Sequence, residues 1–188
     1  SEDDLLIAMT VETTRAIKAW PLESFAWIMD KGIRDGYKFV MLGLDKQRSA
    51  ELSQRFDHSN VINLTGSTDL AEMIALIRQC DVFFSCDTGP SHIAQACRIP
   101  TVVLFGPSNE KEFGPTDTRL HTLELTPETL NCRPCVLGPC VRGQSCVQLI
   151  RPEIVYPAIQ SAVALARRGR CSHNPGPRRQ PLRHLCTI

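Results

Sequence analysis

The chain of 188 residues reads as an α/β protein: a parallel sheet with helices on both faces. Three observations predict this. Short, solidly apolar runs alternate with amphipathic segments of helical length, and strands buried on both faces are apolar throughout. Gly and Pro punctuate the ends of these segments. Hydrophobic residues make up 43% of the sequence and charged residues 22%, which suits a buried core in one domain or in one half of a two-lobed protein.

Leu5 to Met9 is the first apolar run, read as a buried strand, and Thr10 to Ala19 is a polar loop. Residues 22–35 place Leu22, Phe25, Ala26, Ile28, Met29 and Ile33 at helical spacing, and Gly36 ends the segment. Strands follow at Phe39–Leu42 and Val61–Leu64, separated by a polar amphipathic helix over 46–56. Asp69 with Glu72 three positions on is a capping box for a helix over 70–79. Val82–Cys86 is the fourth strand, and Pro90 opens a helix that runs to about Arg98. Thr101–Phe105 is the fifth, stopped by Gly106-Pro107, and His121–Leu125 is a short sixth. Residues 126–152 are a loop dense in Cys, Pro and Gly, and 153–168 form a last helix. The domain is thus expected over 1–168, with a disordered tail over 169–188.

The net charge of +1 conceals an asymmetry. The tail holds Arg170, Arg178, Arg179 and Arg183 and no acid, whereas the rest has more acidic than basic residues. The domain is therefore not a polyanion binder by bulk charge, and its few aromatics (6%) argue against nucleic acid. The tail is either a solvated segment or a weak contact to anionic lipid. No apolar run approaches the roughly 20 residues of a membrane helix, and the acidic start, Ser1-Glu2-Asp3-Asp4, lacks the basic opening of a secretory signal.

There are nine cysteines. Cys80, Cys86 and Cys97 read as small core residues; an odd total scattered through an α/β pattern points to a reducing compartment. Cys132, Cys135, Cys140 and Cys146 cluster. Four thiolates in so short a stretch can bind Zn²⁺, but the later spacings match no zinc ribbon. Structural metal, disulfides and free thiols all remain open.

Parallel sheets take ligands beyond the carboxyl ends of their strands. Two such loops stand out. In Asp87-Thr88-Gly89-Pro90-Ser91-His92 a strand feeds directly into a helix, whose first turn offers unpaired N–H groups and partial positive charge to an anion. Gly89 permits close approach, and Asp87 can accept from sugar hydroxyls. A plain capped strand-to-helix turn reads the same residues equally well. The loop from Val11 to Pro21 carries Thr13, Thr14 and Lys18, which together can hold a diphosphate, with Lys18 as a mobile point charge. Trp20-Pro21 would lock that loop. Taken alone, Lys18 also reads as a solvated surface lysine.

Together, Thr13-Thr14-Arg15…Lys18-Ala19-Trp20-Pro21, Asp87-Thr88-Gly89-Pro90-Ser91-His92 and Phe105-Gly106-Pro107-Ser108 resemble the C-terminal half of glycosyltransferase family 9, the ADP-heptose:lipopolysaccharide heptosyltransferases, over roughly residues 5–168. The resemblance implies a GT-B architecture of two Rossmann-like lobes, this one binding the nucleotide-sugar. It implies Thr13, Thr14 and Lys18 on the donor diphosphate, Thr88 and Gly89 hydrogen-bonded to it, Asp87 on the transferred sugar and His92 near both. It places the ribose contact at Gln47, where the family has an acid, and the base near Thr68. Similar cysteine loops occur in some members. Transfer would be inverting and need no cofactor. Lys18 and the helix start at 89–92 would meet the charge growing on the leaving diphosphate.

The acceptor would be a lipid-linked saccharide, bound by an N-terminal lobe that also carries the catalytic base. This chain begins at the first strand of the donor lobe, so on its own it is expected to bind nucleotide and transfer no sugar. The implied setting is cytoplasmic, with at most peripheral contact at the inner membrane. Two other readings compete: a non-catalytic nucleotide or nucleotide-sugar binding module, and a metal-stapled interaction protein.

Overall fold

The computed structural model describes residues 5–115, 117–118, 121–123, 130, 132–135, 140 and 142–172. The elements are β1 (Leu5–Thr10), α1 (Leu22–Arg34), β2 (Tyr37–Met41), α2 (Lys46–Ser53), β3 (Val61–Asn63), α3 (Leu70–Gln79), β4 (Val82–Cys86), α4 (Gly89–Ala96), β5 (Thr101–Leu104), α5 (Glu110–Phe113), β6 (His121–Leu123) and α6 (Pro152–Ser172). Short 3₁₀ turns cover Ala16–Lys18 and Cys146–Leu149.

All strand pairs are parallel, in the order β3-β2-β1-β4-β5-β6. The chain steps outward from β1 to β3, then returns to start a second series at β4. A crevice therefore opens where β1 and β4 lie side by side and their following loops diverge. The α/β expectation holds, and β4 falls on the predicted residues.

The period-2 alternation of strands divides the core. Ile7, Met9, Phe39, Met41, Phe84, Val102 and Leu104 face α1 and α6 in the larger cluster, which also holds Trp20, Phe25, Ile28 and Ile159. Leu6, Ala8, Val40, Leu42 and Phe83 face α3 and α4 in a smaller, mostly aliphatic one. Every residue of β1, β4 and β5 is buried, which explains their mostly apolar sequences, with Thr10, Ser85 and Thr101 as the polar exceptions.

Several boundaries differ from the sequence reading. Helix α2 stops at Ser53 rather than 56, because Arg55 and Phe56 already close turns on Leu52 and Ser53. Helix α6 continues to Ser172, four residues into the segment expected as tail, since Arg167, Arg168 and Arg170 favour helix enough to carry it over Gly169 and no further proline comes before Pro175. The four-residue α5 was not anticipated; Asn109 caps it by accepting from Lys111 N–H at 3.1 Å. The basic tail beyond Ser172, including Arg178, Arg179, Arg183 and Cys186, and the side chains of Arg170 and Cys171 lie outside the described residues. Among the described residues no helix is long and apolar enough to cross a membrane.

Candidate functional site

A cleft of about 1170 Å³ lies along the carboxyl edge of the sheet. Four loops build it. The loop after β1 brings Glu12, Thr13, Thr14 and Lys18; that after β2 brings Gly43, Leu44 and Asp45; that before α3 brings Thr68 and Asp69; and the β4–α4 junction brings Asp87, Thr88, Gly89, Pro90 and His92.

Asp87 is the centre of this arrangement. It is the first residue past β4 and only 7% exposed. A carboxylate so placed needs compensation, and two side chains donate hydrogen bonds to it while a third stands nearby. Lys18 Nζ donates to its Oδ2 at 2.6 Å. Ser108 Oγ donates to the same oxygen at 2.6 Å. His92 Nε2 stands 3.6 Å from Oδ1. Beside it, burial pushes the Cys86 thiol up to about 12, so Cys86 stays neutral and adds no charge to the site.

The loop that carries Lys18 is anchored at both ends. Trp20 is fully buried, edge-on to Phe25 at 4.9 Å and to Phe84 at 5.9 Å between ring centroids. Its indole N–H donates to the Ile150 carbonyl at 2.9 Å. The expected Trp-Pro lock is thus real, and it reaches the segment before α6 as well as α1. Arg48 from α2 clasps the loop from the other side: its Nε donates to the Val11 carbonyl at 2.9 Å and its Nη2 to the Trp20 carbonyl.

A second clamp joins the first two loops. The Glu12 carboxylate accepts from the backbone N–H groups of Leu44 and Asp45. Gly43, at φ +135, makes this possible: a Cβ there would stand 2.5 Å from Glu12 Oε1. At the α4 start, Thr88 has extended backbone, Ser91 Oγ donates back to the Thr88 carbonyl at 2.7 Å, and Pro90 occupies the first turn. Gly89 is exposed there, and a Cβ added to it would meet nothing within 4 Å. The positive end of α4 is open to the cleft.

Of the site residues expected from the sequence, Thr13, Thr14, Lys18, Thr68, Asp87, Thr88, Gly89 and His92 all line this one cleft. Thr13 Oγ1 donates to the Arg15 carbonyl at 2.7 Å, which shapes the loop. The Thr68 hydroxyl is buried and has no hydrogen-bond partner among the described residues. Lys18 is no solvated surface lysine, because it is paired with Asp87. Gln47 is the exception. It is exposed on α2 and does not line the cleft, whereas Asp45, the cap of that helix, does. Asp45 precedes the helix, at the end of the loop after β2 that faces the cleft, while Gln47 already lies within α2. Sequence reasoning also missed Ser108, Glu12 and Asp45. In the sequence Ser108 is only the end of the Phe105-Gly106-Pro107-Ser108 motif, and nothing in its spacing ties it to Asp87.

Of the three states left open for the cysteine cluster, a four-thiolate zinc site is not assembled among the described residues. Among the described residues no group of three or more His, Cys, Asp or Glu side chains is placed to hold a metal ion. Cys132, Cys135, Cys140 and Cys146 are free thiols. Cys135 Sγ donates to the Cys132 carbonyl and Cys140 Sγ to the Gln144 carbonyl, both at 3.2 Å. Cys146 is buried, which raises its thiol above the ordinary range.

The family model of glycosyltransferase family 9 (heptosyltransferase) matches residues 2–144. The chain belongs to this family. It is 27% identical over 149 residues to lipooligosaccharide heptosyltransferase 2 of Campylobacter jejuni, an alignment that takes in 76% of this chain and 46% of that protein. Its fold matches that of the E. coli ADP-heptose lps heptosyltransferase II with a TM-score of 0.75 at 22% identity, over 89% of this chain and 49% of the other. It also matches TibC of enterotoxigenic E. coli, an iron-containing dodecameric glycosyltransferase, at a TM-score of 0.65 and 18% identity, over 88% and 45% of the two chains. The chain spans about half the length of the relatives it matches.

Proposed function

We propose that residues 5–172 form the donor-binding lobe of an inverting, GT-B heptosyltransferase of lipopolysaccharide core synthesis, and that the cleft takes ADP-heptose or a related nucleotide-sugar. The observation that carries this reading is the meeting of Lys18, Asp87 and the open α4 N-terminus in one cleft at the β1/β4 crevice. A diphosphate fits there because the helix start and an ammonium offer it positive charge. When the anion enters, Lys18 exchanges one negative partner for another. Asp87, held by Ser108, is then free to accept from the sugar's hydroxyls. Thr13, Thr14 and Thr88 supply hydroxyls along the path, and the base end lies near Thr68, on a lining that also holds the exposed Leu44 and Leu70.

Chemistry in the whole protein would be a single displacement at the anomeric carbon. Negative charge builds on the leaving diphosphate, and fixed donors stabilise it more in the transition state than in the ground state. Lys18 and the α4 start supply those donors, and no cofactor enters the step. The acceptor, a lipid-linked saccharide, and the base that activates it belong to a second lobe outside these residues. The setting is cytoplasmic, with peripheral contact at the inner membrane.

Calorimetric titration with ADP and ADP-heptose tests the reading. Wild type is expected to bind both, and Lys18→Ala to bind about ten- to a hundredfold more weakly, as loss of a charge-assisted contact implies. This chain alone is expected to transfer no heptose. Equal affinity in wild type and Lys18→Ala, or none in wild type, would sink the donor-site assignment.

A further inference from the structure

Cysteines draw attention to residues 132–135, yet the most extensive contacts of that segment are made by Arg133. Gly106, Pro107 and Ser108 follow β5, beyond its ladder, so their carbonyls need donors from elsewhere. All three are supplied by the same short segment. Arg133 Nε donates to the Gly106 carbonyl, the Cys135 backbone N–H to Pro107 at 2.8 Å, and Arg133 Nη2 to Ser108 at 3.0 Å. The same Nη2 lies 2.9 Å from Glu110 Oε2. Val147 also packs close to Gly106: its Cβ lies 2.7 Å from where a Cβ on Gly106 would stand.

What this loop delivers is the Ser108 hydroxyl. It shares Asp87 Oδ2 with Lys18, each at 2.6 Å. Two donors on one oxygen fix the carboxylate's rotation, and the other oxygen is then turned toward His92. A planar guanidinium with a rigid fork of donors suits this task, since it spans several acceptors at set angles; an ammonium does not.

We propose that Arg133 is a positioning residue of the cleft: by holding the carbonyls of 106 and 108 it keeps Ser108 on Asp87, and so fixes where Lys18 and His92 stand. The geometry is independent of the ligand, but its consequence for binding rests on the donor-site reading above. The alternative is that Arg133 only staples the loop and α5, with no bearing on Asp87.

The test uses the full ¹⁵N-labelled chain and follows the imidazole cross-peaks of His92, identified through His92→Gln. Arg133→Gln and Ser108→Ala are expected to move these peaks in the same direction, and the double variant no further than Ser108→Ala alone. ADP titration should then read about tenfold weaker binding for Arg133→Gln, not additive with Ser108→Ala. Ile159→Val, a core change in α6, should leave both readouts unmoved. His92 peaks that stay in place in folded Arg133→Gln, or additive effects in the double variant, overturn the proposal. Should Arg133→Gln not fold, Arg133→Lys carries the same test, because it keeps the charge but cannot span both carbonyls; unmoved peaks there are equally fatal. If wild type takes no ADP, the function falls while the His92 peaks still decide for or against Arg133.

Discussion

The loops after β1 and β5 each bring one donor to Asp87, and they are secured by different physics. The first is held mainly by burial: Trp20 is sunk among Phe25 and Phe84, and Arg48 and the indole N–H finish its polar groups. The second is buried as well and starts at the fully buried Phe105, but the carbonyls of Gly106–Ser108 beyond that ring are held by directional hydrogen bonds from residues 133–135. Packing is tolerant of small shifts and contributes most to stability. Hydrogen bonds contribute less net energy but define direction. The contrast teaches that two side chains on one carboxylate oxygen can differ sharply in what their removal does: damage on the β1 side should appear first as lost stability, damage on the β5 side first as lost geometry.

The largest expected effect comes from Trp20→Ala, which should cost about 3–5 kcal/mol of folding stability, as truncation of a buried aromatic does. Denaturant unfolding measures it. A loss below 1 kcal/mol, on the scale of an ordinary surface change, would break the contrast. Arg48→Ala comes next. It leaves the Val11 and Trp20 carbonyls short of a donor, and about 1–3 kcal/mol should be lost, with ADP affinity falling in parallel. If affinity falls while stability does not, the β1 loop is held as the β5 loop is.

The smallest effect concerns the brace between α1 and α6, on the same face as Trp20. Tyr156 OH donates to Asp35 Oδ2 at 2.7 Å, and Lys31 Nζ to Oδ1 at 2.8 Å. Those bonds, Lys31 first, hold the Asp35 carboxyl below its ordinary value of 3.8. Its folded value is depressed, so its contribution is complete above pH 3.8 and is lost as pH falls through the lower folded value. The stability gap between wild type and Asp35→Asn should therefore be open at neutral pH and close in acid. A gap that widens in acid would show the sign to be wrong.

Most of the fold could be read along the chain because its signals are local. The Asp69–Glu72 capping box formed as expected, with Glu72 N–H to Asp69 Oδ1 at 2.8 Å. Helix α1 ends before Gly36, which takes φ +84. The site was legible where it follows from strand ends, as Lys18, Asp87, Gly89 and His92 do. It was not legible where it depends on side chains meeting across the sheet. Ser108 reaches Asp87 over 21 positions and Arg133 reaches Gly106 over 27, and no periodicity encodes such encounters. Gln47 was expected at the site, but the structure leaves it exposed on α2 and outside the cleft lining, where Asp45 stands instead.

The hydrogen bond from the Trp20 indole to the Ile150 carbonyl closes a span of 130 residues. A ribosome adding roughly 5–20 residues each second exposes the tryptophan long before its acceptor, with a wait of the order of ten seconds. During that interval the most buried ring of the loop has an unmatched N–H and an incomplete cover. Nascent chains of this protein should then present an incompletely covered aromatic surface to chaperones until synthesis passes Ile150.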